Sequence, residues 1–194
     1  MTDNSSIDTS VTNLWRTWLS FRYGKKRSRA IDGFESNLEN NLFALAYDLT
    51  KGYYRHGTYV HKIVNEKKRR DIHVAAVRDR IVHRLLYDYL VPIINPRLDP
   101  DVWSCRPGKG LHGAIKRTSL LSHRFSRGWV YRADVRRFFD NVDQAVLKQA
   151  ISQNVHDTSA ICLIDEVIGS YKTDRQTDRQ TDRQAGRQVC LLVI

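Results

Sequence analysis

An acid closes an apolar run in Trp129-Val130-Tyr131-Arg132-Ala133-Asp134-Val135, and an aromatic pair, Phe138-Phe139, follows before Asp140 and Asp143. A carboxylate at the end of a rigid strand is a hard oxygen donor suited to Mg2+. Taken bare, a strand-end aspartate is more often a cap or a turn former. The run Lys67-Lys68-Arg69-Arg70 offers ammonium and guanidinium groups that neutralise phosphate oxygens, and a solvated turn accounts for it equally well. Gly108-Lys109-Gly110 invites a phosphate-loop reading, but the spacing and the hydroxyl residue of such a loop are missing, which argues against an NTPase. His73, His83 and His112 are not at metal-ligand spacing and read as structural or polar surface residues. Cys105, Cys162 and Cys190 are odd in number and far apart, so neither a disulfide framework nor a paired-cysteine zinc site fits.

The elements that must position these groups can be read from periodicity. Val11, Leu14, Trp15, Trp18, Leu19 and Phe21 fall at helical spacing. A second helix is expected over 30–50, with Ile31, Phe34, Leu38, Leu42, Leu45, Ala46 and Leu49 on one face and Gly52 as a stop. Residues 58–64 and 71–75 read as a hairpin with a basic tip. A third helix over 77–94 turns Ile81, Leu85, Leu86, Tyr89 and Leu90 inward, and Pro92 and Pro96 end or kink it. After the turn 103–110 come a helix, a strand over 129–135, and two short helices near 143–153 and 158–169. The order α α β β α α β α α is that of a mixed α+β chain.

Composition bounds the partners. The chain has 194 residues, 41% of them hydrophobic and 27% charged, with a formal net charge of +11. That is enough apolar material for a core, and the basic excess favours a polyanion, nucleic acid first and an anionic membrane surface second. No apolar run reaches bilayer length, and the first ten residues lack the pattern of a signal peptide, so a cytoplasmic protein without a membrane anchor is expected.

Three segments, taken in order, resemble the reverse transcriptases of the group II intron, retron and diversity-generating retroelement lineage. Arg70-Asp71-Ile72-His73-Val74-Ala75 leading into Val77-Arg78-Asp79-Arg80-Ile81-Val82 is similar to that family's fingers motif. Ser104-Cys105-Arg106-Pro107-Gly108-Lys109-Gly110-Leu111-His112-Gly113-Ala114 is similar to its R-P-G-[KR] element. Asp134-Val135-Arg136-Arg137-Phe138-Phe139 resembles its first catalytic palm motif. The matches span residues 52–143. They imply an RNA-directed DNA polymerase of right-hand fold, with a helical leader over 1–51, fingers over 52–128 and the start of a palm over 129–172.

The resemblance also implies site roles. Asp134 would bind catalytic Mg2+, with the Val135 carbonyl touching the second ion. Phe139 would be the steric gate that disfavours a ribose 2′-hydroxyl, with an ordinary core phenylalanine as the other reading, while Phe138 is expected in the core. Lys68, Arg70 and Arg80 would hold the incoming deoxynucleoside triphosphate; for Arg80 the other reading is a pairing with Asp79 or Asp88. Arg106 and Lys109 would lie near an RNA template or its DNA or RNA primer. Asp140 and Asp143 correspond to a turn and a helix cap.

Residues 173–184 repeat Thr-Asp-Arg-Gln three times, and Ala-Gly-Arg-Gln follows. Continuous reading of the nucleotide repeat ACAG encodes the first unit, and GCAG encodes the second. The reading frame is therefore expected to run through simple-sequence DNA beyond Lys172, with a charged linker as the other account. These repeats carry Arg175, Arg179, Arg183 and Arg187 against Asp174, Asp178 and Asp182, so the basic excess belongs to residues 1–172. No adjacent Asp-Asp occurs anywhere in the sequence, whereas the family's palm needs such a pair to complete its metal site. The expectation is a catalytically incomplete chain, with a non-enzymatic nucleic-acid-binding remnant as the alternative. The strand 129–135 should be an exposed apolar edge.

Overall fold

Ser10 and Ser28 each start a helix by accepting a backbone N–H into the side-chain oxygen, from Asn13 and Ile31 respectively. They open α1 (Val11–Arg22) and α2 (Arg29–Glu35). α3 (Leu38–Lys51) ends at Gly52, whose φ of 72° is the left-handed conformation that closes helices. The structure, a computed structural model, describes residues 6–65, 69–135 and 138–171, with the backbone alone at residues 70, 139 and 140. The order continues with β1 (Val60–Asn65), β2 (Arg69–Val74), α4 (Val77–Ile94), a 3-10 turn (Asn95–Arg97) and α5 (Leu111–Arg124). α6 (Phe138–Asn141), α7 (Gln144–Ser152) and α8 (Thr158–Ser170) follow. The class is α+β, mostly helical with one two-stranded antiparallel sheet whose register runs from Val60 opposite Val74 to Asn65 opposite Arg69.

The expected single helix over 30–50 is two helices. Asn37 leaves helical geometry (φ −135°, ψ 41°), Ser36 Oγ donates to the Gly33 carbonyl, and Asn41 Nδ2 donates to the Phe34 carbonyl. Short polar side chains here satisfy the carbonyls that helix continuation would have used. The apolar face still works as read, because Ile31, Leu42, Leu45 and Ala46 are buried on both sides of the break.

The core gathers Leu14, Trp18 and Phe21 from α1, Leu42 and Leu45 from α3, and Ile81, Val82, Leu85 and Leu86 from α4. Val155, Ala160, Leu163 and Ile164 join it from the far end of the described chain. The Ile7 N–H donates to Asp157 Oδ2 at 2.7 Å, and the same aspartate caps α8 by accepting the Ser159 N–H. α4 is the central helix: α1, α2 and α8 all pack on it. It runs through Pro92 to Ile94, and Pro96 falls in the 3-10 turn beyond.

The expected strand 129–135 does not form. These residues have no regular secondary structure, and Trp129, Val130 and Tyr131 are almost wholly exposed. A strand is held by the ladder it joins, and among the described residues no neighbour offers one. Nor is Phe138 in the core: it is more than half exposed at the start of α6. α5 likewise buries no residue, and Leu111, Ile115 and Leu120 stand in solvent. The final helices match the expected 143–153 and 158–169 to within a residue. The repeat tail lies outside the described residues. Among those described, no helix is long and apolar enough to cross a membrane.

Candidate functional site

Asp79 is a buried carboxylate, 1% exposed in the first turn of α4. Burying a carboxylate demands donors. Asp79 receives the Tyr54 hydroxyl at 2.8 Å on Oδ1 and the Gly57 N–H at 3.1 Å on Oδ2. Arg78 Nη1 stands 3.7 Å away, while its other arm donates to Asp48 at 2.7 Å and its plane lies over the Tyr54 ring. The Tyr54 hydroxyl is held well above the ordinary phenol range, first by burial and then by its bond to Asp79. Gly57 must lack a side chain here, because a Cβ would sit 2.9 Å from Asp79 Oδ2. The connection from α3 to the hairpin is thus fastened onto α4.

Beside it, His56 Nε2 and His83 Nε2 meet at 3.0 Å, and His56 Nδ1 lies 2.6 Å from the Gly57 carbonyl. The His56 N–H donates to Glu166 of α8 at 2.9 Å. The imidazole of His83 is held below its ordinary pKa, chiefly by burial and next by His56. From this pair a column of rings runs outward: His56 stacks on Tyr59, Tyr59 meets Tyr171 edge-on, Tyr171 meets His73, and His73 faces His61 across the hairpin.

The residues implied by the sequence resemblance fall elsewhere and apart. Arg106 spends its guanidinium on its own loop, donating to the Asn95 side chain and carbonyl and to the carbonyls of Asp99 and Val102. Lys109 donates to the Pro100 carbonyl and lies over the Trp103 ring. Trp103 in turn packs so closely on α5 that a Cβ at Gly113 would meet its ring at 2.4 Å. Asp101 takes a two-pronged ion pair from Arg117 at 2.8 and 2.9 Å, which keeps its carboxyl below the usual range. The R-P-G-K-G element therefore braces a loop against α5.

Arg80 pairs with neither Asp79 nor Asp88; Asp88 is taken by Arg84 at 2.9 Å. The Arg80 guanidinium lies 5.4 Å from the centre of the Phe21 ring, and its buried Nε has no partner among the described residues. Arg70 is placed by its backbone opposite Val64 in the hairpin. The side chains of Arg70 and Phe139, and all of Lys68, lie outside the described residues. Asp134 and Val135 are exposed on the irregular segment. Among the described residues no group of three or more His, Cys, Asp or Glu side chains converges as a metal site, so the donors around Asp134 do not by themselves fit a pair of Mg2+ ions.

The missed group is Tyr54, His56, Asp79 and Glu166. Asp79 stood in the R-D-R-I-V string, but nothing local marks its partners, which lie 22 and 25 residues earlier in the chain.

No known family model matches the chain. The chain is 27% identical over 141 residues to Protein YkfC of Escherichia coli (strain K12), a match that covers 69% of this chain and 36% of that protein. It therefore spans little more than a third of the length of that relative.

Proposed function

We propose that this chain represents the fingers and the beginning of the palm of an RNA-directed DNA polymerase. The whole enzyme's reaction would be attack of a primer 3′-hydroxyl on a deoxynucleoside triphosphate, directed by an RNA template, with pyrophosphate leaving. The observation that carries this reading is the ordered series of the fingers string ending in Arg78-Asp79-Arg80-Ile81-Val82, the Arg106-Pro107-Gly108-Lys109 turn and the Asp134 motif. The hairpin running into α4 through a buried aspartate is consistent with a rigid finger. In this reading the motif's Arg78 and Asp79 are structural fasteners, and Arg80, whose buried Nε has no partner among the described residues, is the cation of that string left for the triphosphate.

Among the described residues Asp134 has no group of companion carboxylates, so no chemical step is assigned to this chain alone. Its residues would bind and orient. A second reading, a nucleic-acid-binding remnant without catalysis, is favoured by the formal charge of +11 combined with that lone carboxylate.

Long-read sequencing of the source DNA across the repeat separates the two. The polymerase reading expects a frame encoding Tyr/Phe-x-Asp-Asp downstream, and it fails if no such frame exists. Purified chain should give no metal-dependent primer extension on an RNA template. It should retain a primer–template duplex with an affinity that falls about 10³-fold or more between 50 and 200 mM salt if about six phosphates are neutralised.

A further inference from the structure

The β1–β2 hairpin makes its substantial element contacts within itself: each strand packs on the other. What ties it to the helices is the segment before β1 and the ring column. The inner anchor of both is the His56–His83 pair, and its hydrogen inventory is restrictive. A carbonyl oxygen only accepts, so His56 Nδ1, 2.6 Å from the Gly57 carbonyl, must carry a proton. In the neutral ring His56 Nε2 is then bare and accepts, and His83 Nε2 at 3.0 Å is the donor. The account closes with both rings neutral. One added proton fits, on His83 Nδ1 as the pair stands, or on His56 Nε2 if His83 shifts its own proton to Nδ1. Two added protons set two N–H groups head to head.

We infer that the His56–His83 pair is a proton-limited clasp, which holds the β1–β2 hairpin against the helical core and lets it swing away as pH falls. The charges facing the pair are Asp79 and Arg80 from α4 and Glu166 from α8. Asp79, with Oδ2 4.0 Å from His56 Nδ1, favours charging of His83. Arg80 opposes charging of His83. Glu166 is engaged by the His56 backbone, and the Tyr54 hydroxyl and Arg78 both face Asp79 and temper its charge. Further out, His61 is bonded to Asp71 at 3.0 Å, but that contact is internal to the hairpin and does not tie it to the core.

The sign follows from proton counting. When the clasp is open, His83 titrates near the ordinary value of about 6.5; when it is closed, burial and His56 hold His83 below that value and at least one proton is refused. The closed form is fully favoured above that value and loses ground as pH drops below it, about ten-fold per pH unit for each proton refused.

Amide hydrogen exchange read residue by residue tests this on the intact chain. The amides of His56 and Gly57, which bond Glu166 and Asp79, and those of β1 and β2 should lose about 30-fold in protection between about pH 7.5 and about pH 5, after correction for intrinsic rates. Amides of Ile81–Leu86 should keep theirs. His83→Gln preserves a donor for His56 Nε2 without titrating, and should flatten the change to about three-fold or less. His61→Gln should leave it intact. Nitrogen-edited imidazole spectra of the unmodified chain provide a second readout that needs no variant. They should show no more than one proton taken up by the pair while the hairpin is protected. The clasp is overturned if hairpin protection is flat with pH, if it falls in step with α4, if His83→Gln keeps the full response, or if both rings charge with the hairpin still closed.

Discussion

Asp79 and Asp134 are the same side chain in opposite circumstances. The first stands at the head of α4 with a phenol, a backbone amide and a guanidinium within 4 Å. The second lies in solvent on an irregular segment beside fully exposed Trp129 and Tyr131. The difference is one of supply. Asp79 draws its donors from residues 54–78, and α1, α2 and α8 pack α4 into the core. Asp134 sits on an irregular stretch, and among the described residues no strand pairs with it. A carboxylate becomes a site only when something rigid surrounds it.

The contrast can be broken at its stronger end first. Asp79→Ala leaves the buried Tyr54 hydroxyl without its acceptor and strips the Gly57 N–H of its partner, and should cost about 3–5 kcal/mol in urea unfolding. Asp134→Ala should cost under about 0.5 kcal/mol in the same assay. Equal losses would mean that Asp134 is enclosed in solution.

A pair of leucine-sized deletions sharpens the same boundary. Ile81→Ala, at a fully buried position of α4, should destabilise by about 2–5 kcal/mol. Leu120→Ala, on the exposed face of α5, should lie within about 0.5 kcal/mol of the parent. A large loss at Leu120 would reveal that α5 is covered.

The smallest effect is local. Arg106→Ala removes four donated bonds from the loop 95–102, and should cost about 1–2 kcal/mol of loop protection while leaving the melting of the helical core unchanged. Hydrogen exchange at Val102 and Lys109 against that at Leu85 would separate the two.

What could be read from the sequence was what short-range physics decides. α1 and α4 follow from apolar spacing alone, and the hairpin follows from two β-rich runs around a charged turn. The break at Ser36–Asn37 escaped because it depends on which carbonyls Ser36 and Asn41 choose to satisfy. The strand at 129–135 was expected from composition, yet a strand exists only in partnership. The Asp79 centre escaped for a related reason: its partners are set by how α3, α4 and α8 meet, and Glu166 reaches His56 from 110 residues away. The R-P-G-K-G string was conspicuous, but its role in bracing the loop through Arg106 and Lys109 rests on carbonyls that carry no sequence signature.

The bond from the Ile7 amide to Asp157 has a consequence for synthesis. A chain emerging from the ribosome at about 5–20 residues per second presents α1, α3 and α4 many seconds before Val155, Leu163 and Ile164 exist to roof them. Until then Leu14, Leu42 and Ile81 face an open side, and the Ile7 amide has no carboxylate to hold it. The nascent chain therefore spends its longest vulnerable interval with its best core half built, and it is the arrival of α8 that shuts it.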